Sequence, residues 1–105
     1  MNNNSKTNPY IVKAFEASTV HITRADQVLL NKEDNPTLVI YRYEYGYFIF
    51  VEFEKDLMDS SFTGLETEGY SKHIQTLIRR AQQHGCKFLQ IDGDATEYED
   101  LPKVW

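Results

Sequence analysis

The chain has 105 residues, of which 41% are hydrophobic and 13% aromatic, and it carries a net charge of −5. That is enough apolar matter for one core-bearing domain and too much for a disordered tail, while the acidic balance disfavours a polyanion as partner. A single cysteine, Cys86, excludes an internal disulfide, and no apolar run approaches the ~18 residues of a membrane span.

The first nine residues, M-N-N-N-S-K-T-N-P, are polar and hold no hydrophobic signal core. They predict a disordered lead-in over 1–9, a single domain over 10–105 and a cytoplasmic protein. Alternation of Val20 and Ile22 against Thr19 and His21 predicts a first strand over 18–22. Thr23 is a helix N-cap candidate, with Asp26 in the first turn, where the helix dipole favours a negative charge. Ala25, Val28 and Leu29 follow at helical spacing, and N-K-E-D-N-P at 31–36 stops this short helix.

The richest stretch is Y-G-Y-F-I-F-V-E-F at 45–53, which is almost entirely aromatic or β-branched. It predicts a strand from 47 to 53, paired as a hairpin with a strand over 37–43. The acidic segment 54–69 follows and is expected as a long loop whose Leu57, Met58, Phe62 and Leu65 dock part of it on the body. Next comes the best-signalled element. Ser71 can cap a helix on which Ile74, Leu77, Ile78 and Ala81 repeat at i, i+3, i+4 and i+7, with Gly85 placed for a left-handed stop. A fourth strand over 86–91 leads into D-G-D at 92–94 and an acidic tail. The order β-α-β-β-α-β predicts an α+β, ferredoxin-like domain, an antiparallel sheet with two helices on one face.

Strand 45–53 comes close to an RNA-recognition motif, with Gly46-Tyr47 at its start and Phe50-Val51-Glu52-Phe53 at its end. Two residues, Phe48 and Ile49, stand where that motif has one. Side chains alternate along a strand, so Tyr47 and Phe50 fall on opposite faces, and the basic residue is replaced by Tyr45. Both faces of the hairpin are apolar. With Phe48 and Phe50 under the helices, Tyr47, Ile49, Val51 and Phe53 form a second face joined across the hairpin by Tyr41 and Tyr43 or by Leu38 and Ile40. Cover for that face is expected from the 54–69 loop, from the tail with Trp105, or from another subunit, a homodimer.

Chemistry-bearing groups do not assemble. Asp92 and Asp94 flank Gly93, but the glycine position and the ligand count do not fit a calcium loop. His73 and His84 lie on one helix about 16 Å apart by helix rise, too far for one site. Cys86 is expected as a small buried residue. An enzyme built on Asp92, Asp94 and His21 would lack converging groups, so neither catalysis nor a cofactor or metal is expected.

S-T-V-H-I-T at 18–23 and Q-H-G-C-K-F-L-Q-I-D-G-D-A with L-P-K-V-W at 83–105 resemble a family of short bacterial proteins of unknown function. Its members are often carried by mobile elements, near antirestriction or toxin–antitoxin genes. The resemblance covers about half the chain and transfers no functional residue. It implies an accessory protein that acts by binding, with His21 and Trp105 part of the framework. The expected function is a small acidic, non-enzymatic protein-binding module that antagonises or regulates a host protein. Its candidate partner-binding residues are Tyr41, Tyr43, Tyr47, Asp92, Asp94 and Glu97. A nucleic-acid-binding domain is the alternative.

Overall fold

The computed structural model describes residues 11–105; the expected lead-in, 1–9, lies outside them. Four strands, β1 (Ala14–Ser18), β2 (Ile40–Tyr43), β3 (Gly46–Phe50) and β4 (Phe88–Asp92), make one sheet in the order β1-β4-β3-β2. Three helices, α1 (Arg24–Leu30), α2 (Met58–Glu68) and α3 (Lys72–Gln83), accompany it. The α+β class holds, but the sheet is mixed rather than antiparallel. β1 runs parallel to β4, while β4–β3 and β3–β2 are antiparallel. With a third helix between β3 and β4, the expected ferredoxin-like β-α-β-β-α-β order is not the one observed.

The third helix corrects the 54–69 loop. A short 3-10 turn, Lys55–Leu57, leads into α2, and Phe62 and Leu65 are buried. Ser, Thr, Asp and Gly dominate this segment and are poor helix formers, and no side chain caps its start. Packing of Met58, Phe62 and Leu65 at i, i+4 and i+7 sustains it instead. The first strand also shifts. Strand geometry covers Ala14–Ser18, and the expected 18–22 strand is mostly a 3-10 turn, Thr19–His21, capped by the Ser18 hydroxyl. The hairpin strands are shorter than expected, and β4 starts at Phe88 rather than Cys86.

One core lies between the sheet and the three helices. Leu30 of α1, Phe62 and Leu65 of α2, and Ile74, Leu77, Ile78 and Ala81 of α3 meet Ala17, Tyr47, Ile49, Leu89 and Ile91 from the strands. Ser71 caps α3 as expected, and Gly85, with φ +71°, follows its C-terminus in the left-handed region that a side chain disfavours. On α1 the inward positions are Asp26 and Leu30, with Leu29 half-buried, whereas Ala25 and Val28 face outward.

Asp26 is fully buried without a cation. Its carboxylate closes the capping box with Thr23 N–H at 3.1 Å and also accepts from Ser71 N–H at 2.8 Å and Ser71 Oγ at 2.5 Å. One side chain therefore satisfies amides at the start of α1 and of α3. Such charge-assisted bonds compensate the desolvation of the carboxylate.

Two substitutions test this frame by chemical denaturation. Asp26→Ala orphans two half-buried backbone amides and empties a fully buried side-chain site, and should cost about 2–4 kcal/mol. A cost below about 1 kcal/mol would show that the carboxylate does not hold the helix starts together. At Gly46 an added Cβ would lie 1.8 Å from the Ile91 carbonyl oxygen. Gly46→Ala must therefore push β3 off β4, and a loss of about 2 kcal/mol or more is expected.

Candidate functional site

Register decides which side chains the sheet presents. β2 and β3 pair Tyr41 with Phe48 and Tyr43 with Gly46, and β3 and β4 pair Phe48 with Gln90 and Phe50 with Phe88. Side chains on paired residues share a face. Tyr41, Tyr43, Phe48, Phe50, Phe88, Gln90 and Asp92 thus stand on the face away from the helices. Tyr47, Ile49 and Val51 are buried on the other side. This reverses the expected orientation of the hairpin. Tyr47, expected beside Tyr41 and Tyr43, is in the core, and its hydroxyl donates to Asn31 Oδ1 at 2.9 Å.

Five rings form a connected cluster on the open face. Phe88 sits at its centre, edge-on to Phe48 at 6.2 Å, Phe50 at 5.7 Å and Tyr41 at 6.3 Å, and Tyr43 leans on Phe48 at 5.4 Å. Such edge-to-face packing is favourable and holds the rings as a unit. Val12 and Ala14 complete a shallow apolar depression with Tyr41, Phe48 and Phe88. None of the five rings packs on the main core.

Of the expected covers, segment 54–69 does lie over the Tyr47, Ile49, Val51 and Phe53 face, where Phe53 meets Phe62 at 5.7 Å; neither it nor the tail lies over the five rings. Segment 54–69 packs as α2 into the core on the helix side. The tail runs past β1: Ser18 N–H donates to Thr96 O at 2.9 Å, and Val104 N–H to Val20 O at 2.7 Å. Trp105 stands half-exposed with the Arg24 guanidinium 5.5 Å from its ring centre.

A polar end adjoins the rings. Tyr43 Oη donates to Asp92 Oδ2 at 2.5 Å, and Gln90 Nε2 donates to Tyr43 Oη at 3.0 Å. Asp94 N–H donates to the other Asp92 oxygen at 2.7 Å, closing the D-G-D turn. Partial desolvation and the Asp92 carboxylate raise the Tyr43 pKa, while the phenol and the Asp94 amide lower that of Asp92. Of the six residues singled out in the sequence, Tyr41, Tyr43 and Asp92 therefore share one face, with Asp94 exposed beside it. Glu97 belongs to the tail, where it pairs with Lys103 at 3.2 Å. Phe48, Phe50 and Phe88 belong to the patch and were missed as site residues. The polar residues Gln90 and Asp92, alternating with Leu89 and Ile91, mark the wet face of β4.

His21 does other work. Its Nδ1–H donates to Pro102 O at 2.9 Å, and its Nε2 accepts from Tyr98 N–H at 2.8 Å. A carbonyl can only accept and an amide can only donate, so these partners fix a neutral tautomer. Both nitrogens are occupied in fastening the tail, and the adjoining cleft of about 230 Å³ between the tail and α3 receives no free base from His21. Phe15 stacks on Tyr98 at 5.4 Å and reinforces the fastening. Among the described residues no three His, Cys, Asp or Glu side chains converge as metal ligands, and no helix is long and apolar enough to cross a membrane.

Residues 14–104 match a family described as "Family of unknown function (DUF5983) C-terminal domain". The match takes in the 18–23 segment, nearly all of the 83–105 segment, and the middle between them. No curated protein and no solved structure matches the chain.

The open position of the rings, Tyr41 exposed and the other four half-buried, has a direct consequence. Ile49→Ala should cost about 2–5 kcal/mol, because Ile49 is fully buried. Phe48→Ser, on the neighbouring residue but the open face, should cost less than half of that. The folded protein should enhance anilinonaphthalene sulfonate fluorescence, and the Phe48→Ser/Phe88→Ser double variant should reduce it. Equal costs at 48 and 49, with no dye response, would place the rings under cover.

Proposed function

The chain belongs to this DUF5983 C-terminal-domain family, and from the geometry of its open sheet face we propose that it is a non-enzymatic protein-binding module. The carrying observation is the five-ring cluster on a sheet face over which no described element packs. Apolar patches of this kind on soluble domains mark interfaces, and aromatic side chains are enriched at interface centres. Asp92 and Glu16 stand at one end of this face, with Asp94 exposed just past it. The partner that fits is an apolar protein surface with a Lys or Arg at its edge. In this reading the protein serves in the cytoplasm as an accessory protein of a mobile element, holding or regulating a host protein. That setting rests on the resemblance of segments 18–23 and 83–105.

Nucleic-acid binding is the second reading, favoured by one observation: Phe48 and Phe50, two apart on β3, share the open face as base-stacking residues do. Two features weigh against it. The rings around Phe88 meet edge-on rather than lying flat as platforms. The charges on that face, Glu16 and Asp92, are acidic, where phosphate binding needs Lys and Arg.

A photo-crosslinking amino acid at Phe50 should give a protein adduct in cells, absent when Phe88→Glu is added. The same probe at Thr67, exposed on α2, should not give that adduct. In parallel, RNA and DNA oligomers at low salt should show no saturable binding tighter than about 10 μM. Tight, salt-sensitive oligomer binding that Phe48→Ser abolishes would replace the protein-binding reading with the second one.

A further inference from the structure

The geometry points to a self-pairing edge: two copies of this chain join their β2 strands antiparallel, about a two-fold axis at Tyr41, into one eight-stranded sheet. This goes beyond the docking face, because it concerns the backbone edge of the sheet and commits to a second copy as its occupant.

The two edges of the sheet are treated differently. On β1, the outer backbone is covered by the tail: Ser18 N–H reaches Thr96 O at 2.9 Å, and Tyr98 Oη donates to Glu16 O at 2.7 Å. β2 has only β3 as a neighbour. Phe50 N–H donates to Val39 O at 3.0 Å, which sets the phase of the ladder. In an antiparallel pair the inward-bonding residues alternate. Val39, Tyr41 and Tyr43 therefore turn their backbone groups toward β3, and Ile40 and Arg42 turn theirs outward. No hydrogen bond among the described residues reaches those outward groups.

β2 keeps two of the usual protections of an edge, its length of four residues and the exposed Arg42, but lacks the others. It carries no proline, glycine or lysine. Its one charged side chain, Arg42, is turned back to the helix layer, donating to Leu30 O at 2.9 Å and to Lys32 O. Beside the exposed Arg42 and Glu44, large apolar side chains face solvent: Val39, Tyr41 and Tyr45 are 53%, 58% and 60% exposed.

A second copy fits these groups by symmetry. Pairing centred on Tyr41 sets Ile40 opposite the partner's Arg42, and Arg42 opposite the partner's Ile40. Both members of each pair have outward-pointing groups, so each exchanges two N–H···O bonds. Centres on Ile40 or Arg42 would keep the same phase, but the first sets Arg42 opposite Leu38, outside β2, and the second sets two Arg42 side chains face to face, whereas a centre on Tyr41 uses both outward residues of the strand. Tyr41 then faces the partner's Tyr41 in a non-hydrogen-bonded pair, where side chains come closest. Val39 lies opposite the partner's Tyr43, and Glu44 opposite the partner's Leu38, so no like charges confront each other. Tyr41 touches Phe88 within its own sheet, so the two aromatic faces become continuous. Such an edge contact is small and belongs with the weak, concentration-dependent interfaces.

The full chain is tested by sedimentation from about 5 μM to 1 mM, the range in which small interfaces associate. The mass should rise from 12.3 kDa toward twice that value. Ile40→Pro removes an outward N–H and leaves the β2–β3 ladder intact, so it should stay monomeric, with folding checked by circular dichroism. In a Cys86→Ala background, Tyr41→Cys should form a disulfide dimer under mild oxidation, because position 41 faces itself. Val39→Cys, of similar exposure, should not. Tyr41→Lys and Tyr41→Glu should each be monomeric and should dimerise when mixed. A constant 12.3 kDa mass, equal linking at 39 and 41, or a dimer broken by Phe88→Glu but not by Ile40→Pro would each overturn the edge pairing. The first of these leaves the docking face standing, since that is judged by the Phe50 crosslink.

Discussion

The buried carboxylate of Asp26 is the constraint from which the layering follows. It accepts from the amides of Thr23 and Ser71 at once. Thr23 begins α1, just after β1 and its 3-10 turn, and Ser71 begins α3, which leads into β4. Tying these two helix starts brings the first and last thirds of the chain together on one side of the sheet, where β1 and β4 are neighbours. Helix dipoles favour the negative charge at both points. With Phe62 and Leu65 of α2 in the same core as Leu30 of α1 and the stripe of α3, all three helices are committed to one face.

The open aromatic face is the consequence. A four-stranded sheet of alternating side chains has two faces, and this chain makes both of them apolar at β3. Ile49 and Val51 are fully buried under the helices, while Phe48 and Phe50 remain opposite. Antiparallel sheets with one wet face ordinarily carry polar residues there. Here they appear only toward the far end of β4, at Gln90 and Asp92, and at Glu16 of β1. The Tyr43–Asp92 contact holds a phenol and a carboxylate together at the boundary between rings and acid. In the proposed reading, this aromatic, acid-edged surface receives a protein partner.

Much of this was legible in the residues and some was not. The caps at Thr23 and Ser71, the stripe on α3 and the stop at Gly85 carry local chemistry, so spacing alone places them. α2 hides because its residues are poor helix formers, yet Met58, Phe62 and Leu65 already stand at helical intervals before Gly69. The hairpin orientation was hidden for another reason: a period of two is the same whichever face is inward. The neighbouring strand breaks the tie. β4 alternates Leu89 and Ile91 with Gln90 and Asp92, and register carries that distinction across to Phe48 and Phe50. The parallel β1–β4 pairing depends on contacts more than seventy residues apart, which no local pattern encodes.

The two sheet edges complete the argument about how the fold handles its own surface. The tail does more than end the chain. His21 holds it through both ring nitrogens, and Phe15 and Tyr98 stack beside it. In that position its Thr96 and Tyr98 reach the outer backbone of β1 and close that edge to any other strand. His21 is therefore a positioning residue of the tail, both of its ring nitrogens being engaged by the tail's backbone. Closing one edge leaves the sheet with a single direction in which to grow. That direction is β2, whose outward groups at Ile40 and Arg42 meet no described partner and whose exposed residues are Tyr41 and Arg42. A sheet open at both edges would polymerise, whereas one open edge that pairs with itself about a two-fold axis stops at two copies.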